Sequence, residues 1–241
     1  MHQSTIFVRL SQLTLTINSM AEQLISRNQW TELVSDSDYF SYDNFRRAAS
    51  EFTNASFLGA GNNMMDRKRE LAAFLANAAH ETENFTCIKE NYRGPYREDH
   101  AEYPPNPNCS YYGRGPLQLS WNYNYGAFSK YYFGNKQKLL DDPDRVAKDG
   151  KLGFASAIWF WVTQPNKHSC PHSVVYSQSC PYTNWGFGRT IMAINGGIEG
   201  GHSANSSSQV ASRIRYYRKF AKALGVTVGT NGEQLDTVGM S

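Results

Sequence analysis

A chain of 241 residues with 40% hydrophobic and 14% aromatic side chains can bury a sizeable core as one domain or two closely packed lobes. Its 24 Lys and Arg against 21 Asp and Glu leave a net charge of +3, and the cations form no stripe, so composition makes no case for a nucleic-acid surface. No apolar run approaches the ~20 residues of a membrane span, so a soluble chain is expected, and the surplus of 15 Tyr, 13 Phe and 5 Trp points to surfaces that grip something flat.

Residues 1–20 are polar and unpatterned, an arm or leader remnant; Arg9, Gln12 and Asn18 interrupt the run MHQSTIFVRLSQLTLTINSMAEQ, so no clean signal-peptide core is visible. From Ala21 to Val34, Leu24, Ile25, Trp30 and Leu33 give a loose helical stripe, and SYDNFRRAASEF, Ser41 to Phe52, opens on a capping Ser or Asp and reads as a second helix. The turn-rich link GAGNNMMD follows, its Asp66 placed to cap the next helix, RKRELAAFLANAAHETE. Farther on, DPDRVAKDGKLGFASAIWFWVTQ reads as one helix that is apolar nearly all round at its end and therefore central to the core. NWGFGRTIMAINGG is a shorter buried helix, and SSSQVASRIRYYRKFAKALG is a long amphipathic one ended by Gly225. The last stretch, VTVGTNGEQLDTVGMS, has no periodicity and is expected to be mobile. The resulting division is an arm over 1–20, one mostly helical domain over 21–226 and a flexible tail over 227–241.

Four cysteines, Cys87, Cys109, Cys170 and Cys180, allow three full pairings, of which the sequential one is preferred: Cys170 with Cys180 across a short loop, and Cys87 with Cys109. Sequons at Asn54, Asn84, Asn108 and Asn205 are compatible with secretion, which is the expected location although no signal peptide is clear.

The stretch AAHETENFTCIKE, Ala78 to Glu90, carries three carboxylates. Leu71, Phe74, Ala78 and Glu81 are spaced 3, 4 and 3, so Glu81 falls on the apolar stripe at the helix end and should face inward. Against an apolar wall its charged form loses hydration, which lets it hold a proton near neutral pH as a general acid does. A buried ion pair is the structural alternative. Glu83, rotated about 200° from Glu81 on an ideal helix, reads as solvated charge. Glu90, past the helix end, can return across a cleft as the second carboxylate.

Metal sites fit poorly. Asn84 stands where the zinc-protease pattern H-E-x-x-H needs histidine, and His168, Cys170, His172 and Cys180 match no zinc spacing well. The second constellation is YYGRGPLQLSWNYNYG, Tyr111 to Gly126. Gly113, Gly115 and Pro116 enforce an irregular backbone, and amides and hydroxyls then alternate with aromatics, which suits a sugar chain with apolar ring faces and hydrogen-bonding edges. A single cation there, Arg114, is not the groove that phosphates require.

HET at 80–82, YYGRGPLQLSWNYNYG at 111–126, AIWFW at 157–161 and AINGGIEGG at 193–201 together resemble the family 19 chitinases, and the similarity runs in order from about Ala21 through Val226. That resemblance implies a mainly α, α+β lysozyme-like fold: two helical lobes flanking a substrate cleft, with a small β element near the YYGRGP segment. It places the general acid on Glu81. It places the general base on Glu90, nine residues later as in compact bacterial members, with Glu98 and Glu102 as fallbacks. Ser120 matches the serine that helps hold the attacking water. His80, Thr82, Gln118, Tyr123, Asn124 and Asn195 match the sugar-contacting set, Arg213 and Glu199 match a charged network behind the acid with Arg213 also counted among the cleft residues, and Tyr103 and Lys167 are the loosest alignments. The sequence departs from the family pattern at Glu83 and Asn84, where glycines are usual, and at Gly200, where a cysteine is usual.

The function so implied is an endo-acting chitinase that hydrolyses β-1,4 N-acetylglucosamine linkages with inversion, needing no metal or organic cofactor. Its partner is chitin or a chitooligosaccharide, bound by a monomer without nucleic acid or membrane. Two alternatives stay open at this stage, a peptidoglycan-cleaving lysozyme or endolysin and a non-catalytic chitin-binding protein on the same scaffold.

Overall fold

The computed structural model describes residues 20–34, 37–52, 57–59, 63–163, 170–176, 185–201 and 206–240. Among them, eleven helices follow one another in chain order: α1 (Met20–Leu24), α2 (Arg27–Leu33), α3 (Tyr42–Ser50), α4 (Met64–Glu81), α5 (Asn122–Phe133), α6 (Gln137–Leu140), α7 (Arg145–Lys148), α8 (Gly150–Thr163), α9 (Pro171–Val174), α10 (Phe187–Glu199) and α11 (Ser206–Leu224). The β content expected beside the YYGRGP segment amounts to isolated antiparallel bridges, Lys89 to Arg114 and Arg114 to Leu119.

Local chemistry explains where the observed boundaries depart from the expected ones. The 21–34 helix is broken in two because Ser26 caps α2 in a reciprocal box with Gln29: the Gln29 amide N–H donates to Ser26 Oγ at 3.3 Å and the Ser26 N–H to Gln29 Oε1 at 3.0 Å. Asn63, not Asp66, caps α4, accepting from the Asp66 N–H at 2.9 Å. The helix expected from Asp142 onward is likewise two, because Asp149 adopts extended backbone after α7 and its Oδ1 accepts from the Leu152 N–H to start α8. Helix α5 was not expected at all. It begins after Trp121, whose φ is +74°, without any side-chain cap.

The core forms around α4, which is buried on every side from Glu70 to Ala79 and packs along α11. Phe74 meets Trp161 edge-on at 5.5 Å, and Trp30 stacks on Phe45 at 4.8 Å with Phe154 against it, so α2, α3, α4 and α8 share one aromatic centre. Close approach of α8 to the loop before α3 depends on Gly153, where a Cβ would lie 1.9 Å from the Tyr39 hydroxyl. That hydroxyl donates to the Val146 carbonyl at 2.6 Å. Glu70, fully buried, accepts from Trp161 Nε1 at 3.0 Å and the Tyr176 hydroxyl at 2.9 Å and bonds to His172 Nδ1 at 2.5 Å, tying α4 to α8 and α9.

The segment after Gly225 is packed down, contrary to the mobile tail expected. Glu233 is buried and accepts from the Tyr217 hydroxyl at 2.7 Å, the Gly229 N–H at 2.8 Å and Arg69 at 2.9 Å, while Thr237 donates to the Glu199 carbonyl at 2.7 Å. Lack of periodicity misled because polar anchoring, not an apolar stripe, holds this stretch. Replacing Glu233 by Gln removes the charge opposite a nearly buried Arg69. It should lower the unfolding free energy by about 3 kcal/mol, read as a shifted urea midpoint at unchanged slope.

Candidate active site

A cleft of about 540 Å3 opens where α4 ends. Its floor is α8 through Ser156, Ala157 and Phe160; one wall is α10 through Ile194, Asn195 and Ile198; the other is built from residues 83–91 and 117–124. Glu81, Glu90, Gln118, Ser120, Tyr123, Asn124 and Asn195 all line it, so the structure gathers seven of the expected site residues into one place.

Glu81 is the last residue of α4 and, as its phase predicts, it turns inward. What it meets is a guanidinium, not an apolar wall: Arg213 of α11 bonds to Glu81 Oε1 through Nη2. The same guanidinium, 1% exposed, takes Glu199 of α10 through Nε at 2.9 Å and Nη2 at 2.6 Å, and donates through Nη1 to Asn77 Oδ1 at 3.1 Å. Asn195 interrupts α10 with non-helical backbone (φ −143°, ψ 33°) and donates to Glu199 Oε1 at 2.9 Å. Burial pushes the Glu199 carboxyl up, but its bonds to Arg213 more than reverse this and hold it below the usual range. Burial and then the Arg213 charge lower the His80 pKa, so this ring is uncharged at neutral pH. His80 is half-buried beside these charges.

Two residues expected to touch sugar are instead internal supports. Arg213 is sealed behind the carboxylates. Thr82 is fully buried: its hydroxyl donates to the Ala78 carbonyl at 2.6 Å and accepts from the Phe85 N–H at 2.9 Å. It thereby fixes three successive left-handed residues, Glu83, Asn84 and Phe85, with φ of 49°, 59° and 62°. Because the chain leaves the helix here, Glu83 does not follow the ideal-helix phase and lines the cleft.

Glu90 has neutral partners. The Gly113 N–H donates to Oε1 at 2.7 Å and the Tyr96 hydroxyl to Oε2 at 3.0 Å; burial and this bond push the Tyr96 pKa up to about 12, so it stays a donor. The backbone pairing Glu90 N–H to Gly113 carbonyl at 3.1 Å, beside the bridge from Lys89 to Arg114, holds the carboxylate in register. Arg114 anchors that loop, donating to Asp144, Tyr125 and the carbonyls of Ser110 and Tyr112. The fallback carboxylates lie elsewhere: Glu98 is exposed and outside the cleft lining, and Glu102 pairs with Lys130 at 2.7 Å.

Ser120 Oγ donates to the Gln118 carbonyl at 2.9 Å, which leaves its lone pairs to accept from a water. Gln118 donates to the Gly115 carbonyl at 2.8 Å. Asn124 donates to the Ser120 carbonyl at 3.0 Å, while its Oδ1 is enclosed without a protein partner. Tyr123 belongs to a row of rings, His100 on one side at 5.8 Å and Trp121 on the other at 6.1 Å, and Trp121 in turn meets Tyr96. Tyr103 extends the row by stacking on His100 and lies over Gly126, outside the cleft lining. Tyr96, Phe160 and Ile194 went unnamed by sequence reasoning. Trp121 stood within the motif, but AIWFW read as core throughout, and nothing local marks Tyr96 as a partner of Glu90.

Lys167 and Cys180 lie outside the described residues. Among the described residues Cys87 and Cys109 are not bridged, which corrects their expected pairing, and the expected bridge from Cys170 to Cys180 lies outside the described residues. Cys87 lines the cleft, Cys109 points at the Asp141 carbonyl at 3.3 Å, and Cys170 contacts Ser173 Oγ at 3.5 Å. Among the described residues no helix is long and apolar enough to cross a membrane.

Residues 15–236 match the glycoside hydrolase family 19 model, chitinase class I. Chitinase 1 of Oryza sativa subsp. japonica is 38% identical over 218 residues, 80% of this chain and 65% of that protein's length. Acidic endochitinase of Dioscorea japonica is 34% identical, with 90% and 82% covered. Among solved structures, the class IV family 19 chitinase of Zea mays aligns with a TM-score of 0.72 at 31% identity, covering 90% of this chain and all of that one, and chitinase C of Streptomyces griseus HUT6037 with 0.74 at 32%, covering 88% and 97%.

The geometry at Arg213 makes a strong demand on stability. Arg213→Met strips the cation from the buried Glu199 and should cost about 3–5 kcal/mol of unfolding free energy, whereas Glu81→Gln, at the cleft edge, should cost under about 1 kcal/mol. Parallel urea titrations of the two variants check the contrast.

Proposed function

The chain belongs to glycoside hydrolase family 19, the class I chitinases, and is a glycoside hydrolase of that kind; from that premise we propose that it is an endochitinase that cleaves β-1,4 N-acetylglucosamine linkages by single displacement. The observation that carries the mechanism is the unlike support of two carboxylates in one cleft, Glu81 on a guanidinium already committed to Glu199, and Glu90 on a backbone N–H and a phenol.

Position separates the two roles in this reading: of the two carboxylates on Arg213, Glu81 is the member that lines the cleft. Glu81 is therefore the acid that gives its proton to the glycosidic oxygen as the bond from that oxygen to the anomeric carbon breaks. A water that donates to Glu90 and to Ser120 Oγ presents its lone pair to the anomeric carbon from the opposite face, and its proton passes to Glu90 as the new bond forms. The stacked Trp121 and Tyr123 in the cleft lining suit sugar faces.

Glu81→Gln and Glu90→Gln should each lower kcat on chitin hexamer by ~10³-fold with the circular-dichroism spectrum unchanged. NMR of the wild-type reaction immediately after mixing should show the α anomer first. Initial β product would overturn the two-carboxylate displacement, and faster release from bacterial cell walls than from hexamer would replace chitin by peptidoglycan as the substrate.

A further inference from the structure

Glu83 is the carboxylate in the cleft that the mechanism does not use. It lines the cleft with Glu81 and Glu90, and its side chain has no ion-pair partner among the described residues. The one lysine in the same lining, Lys89, is committed to Asp144 at 3.2 Å. Arg114 donates to the other oxygen of that aspartate at 2.8 Å. Arg213 already answers two carboxylates, Glu81 and Glu199, so no cation of the described lining is left to pair with Glu83.

Its side chain is exposed, and its backbone is fixed. Glu83 adopts φ +49° between two anchors, Thr82 with its hydroxyl bonded on both sides and Phe85, which is buried between Phe40 at 5.5 Å and Phe220 at 6.4 Å. The Asn84 N–H donates to the Ala79 carbonyl at 2.7 Å, and the Thr86 hydroxyl donates to the Glu83 carbonyl at 2.7 Å. A left-handed glutamate is strained relative to glycine, and this turn holds one without any bond from its carboxylate to the protein.

A fully acetylated chitin chain is uncharged and gives an isolated carboxylate no cationic partner. A chain in which some acetamido groups have lost their acetyl carries ammonium groups instead. We infer that Glu83 is a specificity-determining residue that recognises an N-deacetylated glucosaminyl unit, so that the cleft prefers partially deacetylated chitin. The inference rests on the chitinase reading of the site and names the substrate variant that this chain favours.

The test compares wild type with Glu83→Gln and Glu83→Lys on two substrates at mildly acidic pH, where the sugar amine is protonated: acetylated chitin hexamer and a partially deacetylated oligomer of equal length. For Glu83→Gln, kcat/KM on the deacetylated oligomer should fall roughly threefold to fivefold further than on the acetylated one, and Glu83→Lys should widen the gap. The difference should shrink in ~1 M salt, where screening acts within ~3 Å. Equal changes on both substrates in both variants, or a gap that salt leaves untouched, would overturn the role of Glu83. If wild type turns over neither substrate, the chitinase reading fails separately, and calorimetric binding of the two oligomers to wild type and Glu83→Gln decides the inference: tighter binding of the deacetylated one, lost in the variant, supports it, and equal binding overturns it.

Discussion

One guanidinium sets the terms on which this cleft exists. Arg213 rises from α11 into the space between the end of α4 and the end of α10, and its donors engage Glu81, Glu199 and Asn77. Burial alone would pull the Arg213 pKa down; the two carboxylates reverse that, so the group stays charged where no water reaches it. Asn77 passes the constraint on, donating to Thr190 Oγ1 of α10 at 3.1 Å and to the Ala73 carbonyl at 3.0 Å. Helices α4, α10 and α11 are therefore registered by one charge cluster, and the carboxylate that reaches the cleft is the member the protein does not enclose. A buried ion pair of this kind need not raise stability above that of a hydrophobic substitute. What it supplies here is position, because an apolar contact leaves a carboxylate free to rotate and a forked donor does not.

The second constraint is the way the chain leaves α4. Three left-handed residues in succession carry it from the helix into the cleft wall, held by the Thr82 hydroxyl and by Phe85 in the core. Helix and wall are thereby coupled within a few residues. Beyond the turn, the Lys89 to Arg114 bridge and the Gly113 contacts set Glu90, and Arg114 locks the loop to Asp144 and Tyr125. Backbone conformation places this carboxylate, where electrostatics places Glu81. That division lets the two groups sit in unlike surroundings although only nine residues separate them.

How much of this was legible depended on whether the signal was local. The phase of Leu71, Phe74, Ala78 and Glu81 pointed the glutamate inward because the helix runs unbroken to Glu81. The same phase failed for Glu83, since the helix ends before it. Glu81's neighbour was not legible from helix phase, because Arg213 lies 132 positions away; only the family resemblance put Arg213 and Glu199 behind the acid, and the structure brings them together there. Helix α5 escaped because its first turn lacks a capping side chain and its Asn and Tyr residues resemble a binding loop, which at Tyr123 and Asn124 they also form. The packed tail escaped for a related reason: Glu233 and Thr237 hold it through polar bonds to distant partners, and a periodicity search sees only apolar faces.

The two walls of the cleft differ in chemistry. On the side of α8 and α10 the lining is largely aliphatic or aromatic, with Ala157, Phe160, Ile194 and Ile198, and offers shape with little direction. On the other side Tyr96, Trp121 and Tyr123 alternate with Gln118, Ser120 and Asn124, so each ring face lies beside a donor or acceptor. Most of those amides and hydroxyls are already satisfied by neighbouring carbonyls, and this removes their freedom before any ligand arrives. Asn124 Oδ1 is the exception, enclosed and without a protein partner, so its desolvation is a standing cost that the packing around this wall offsets.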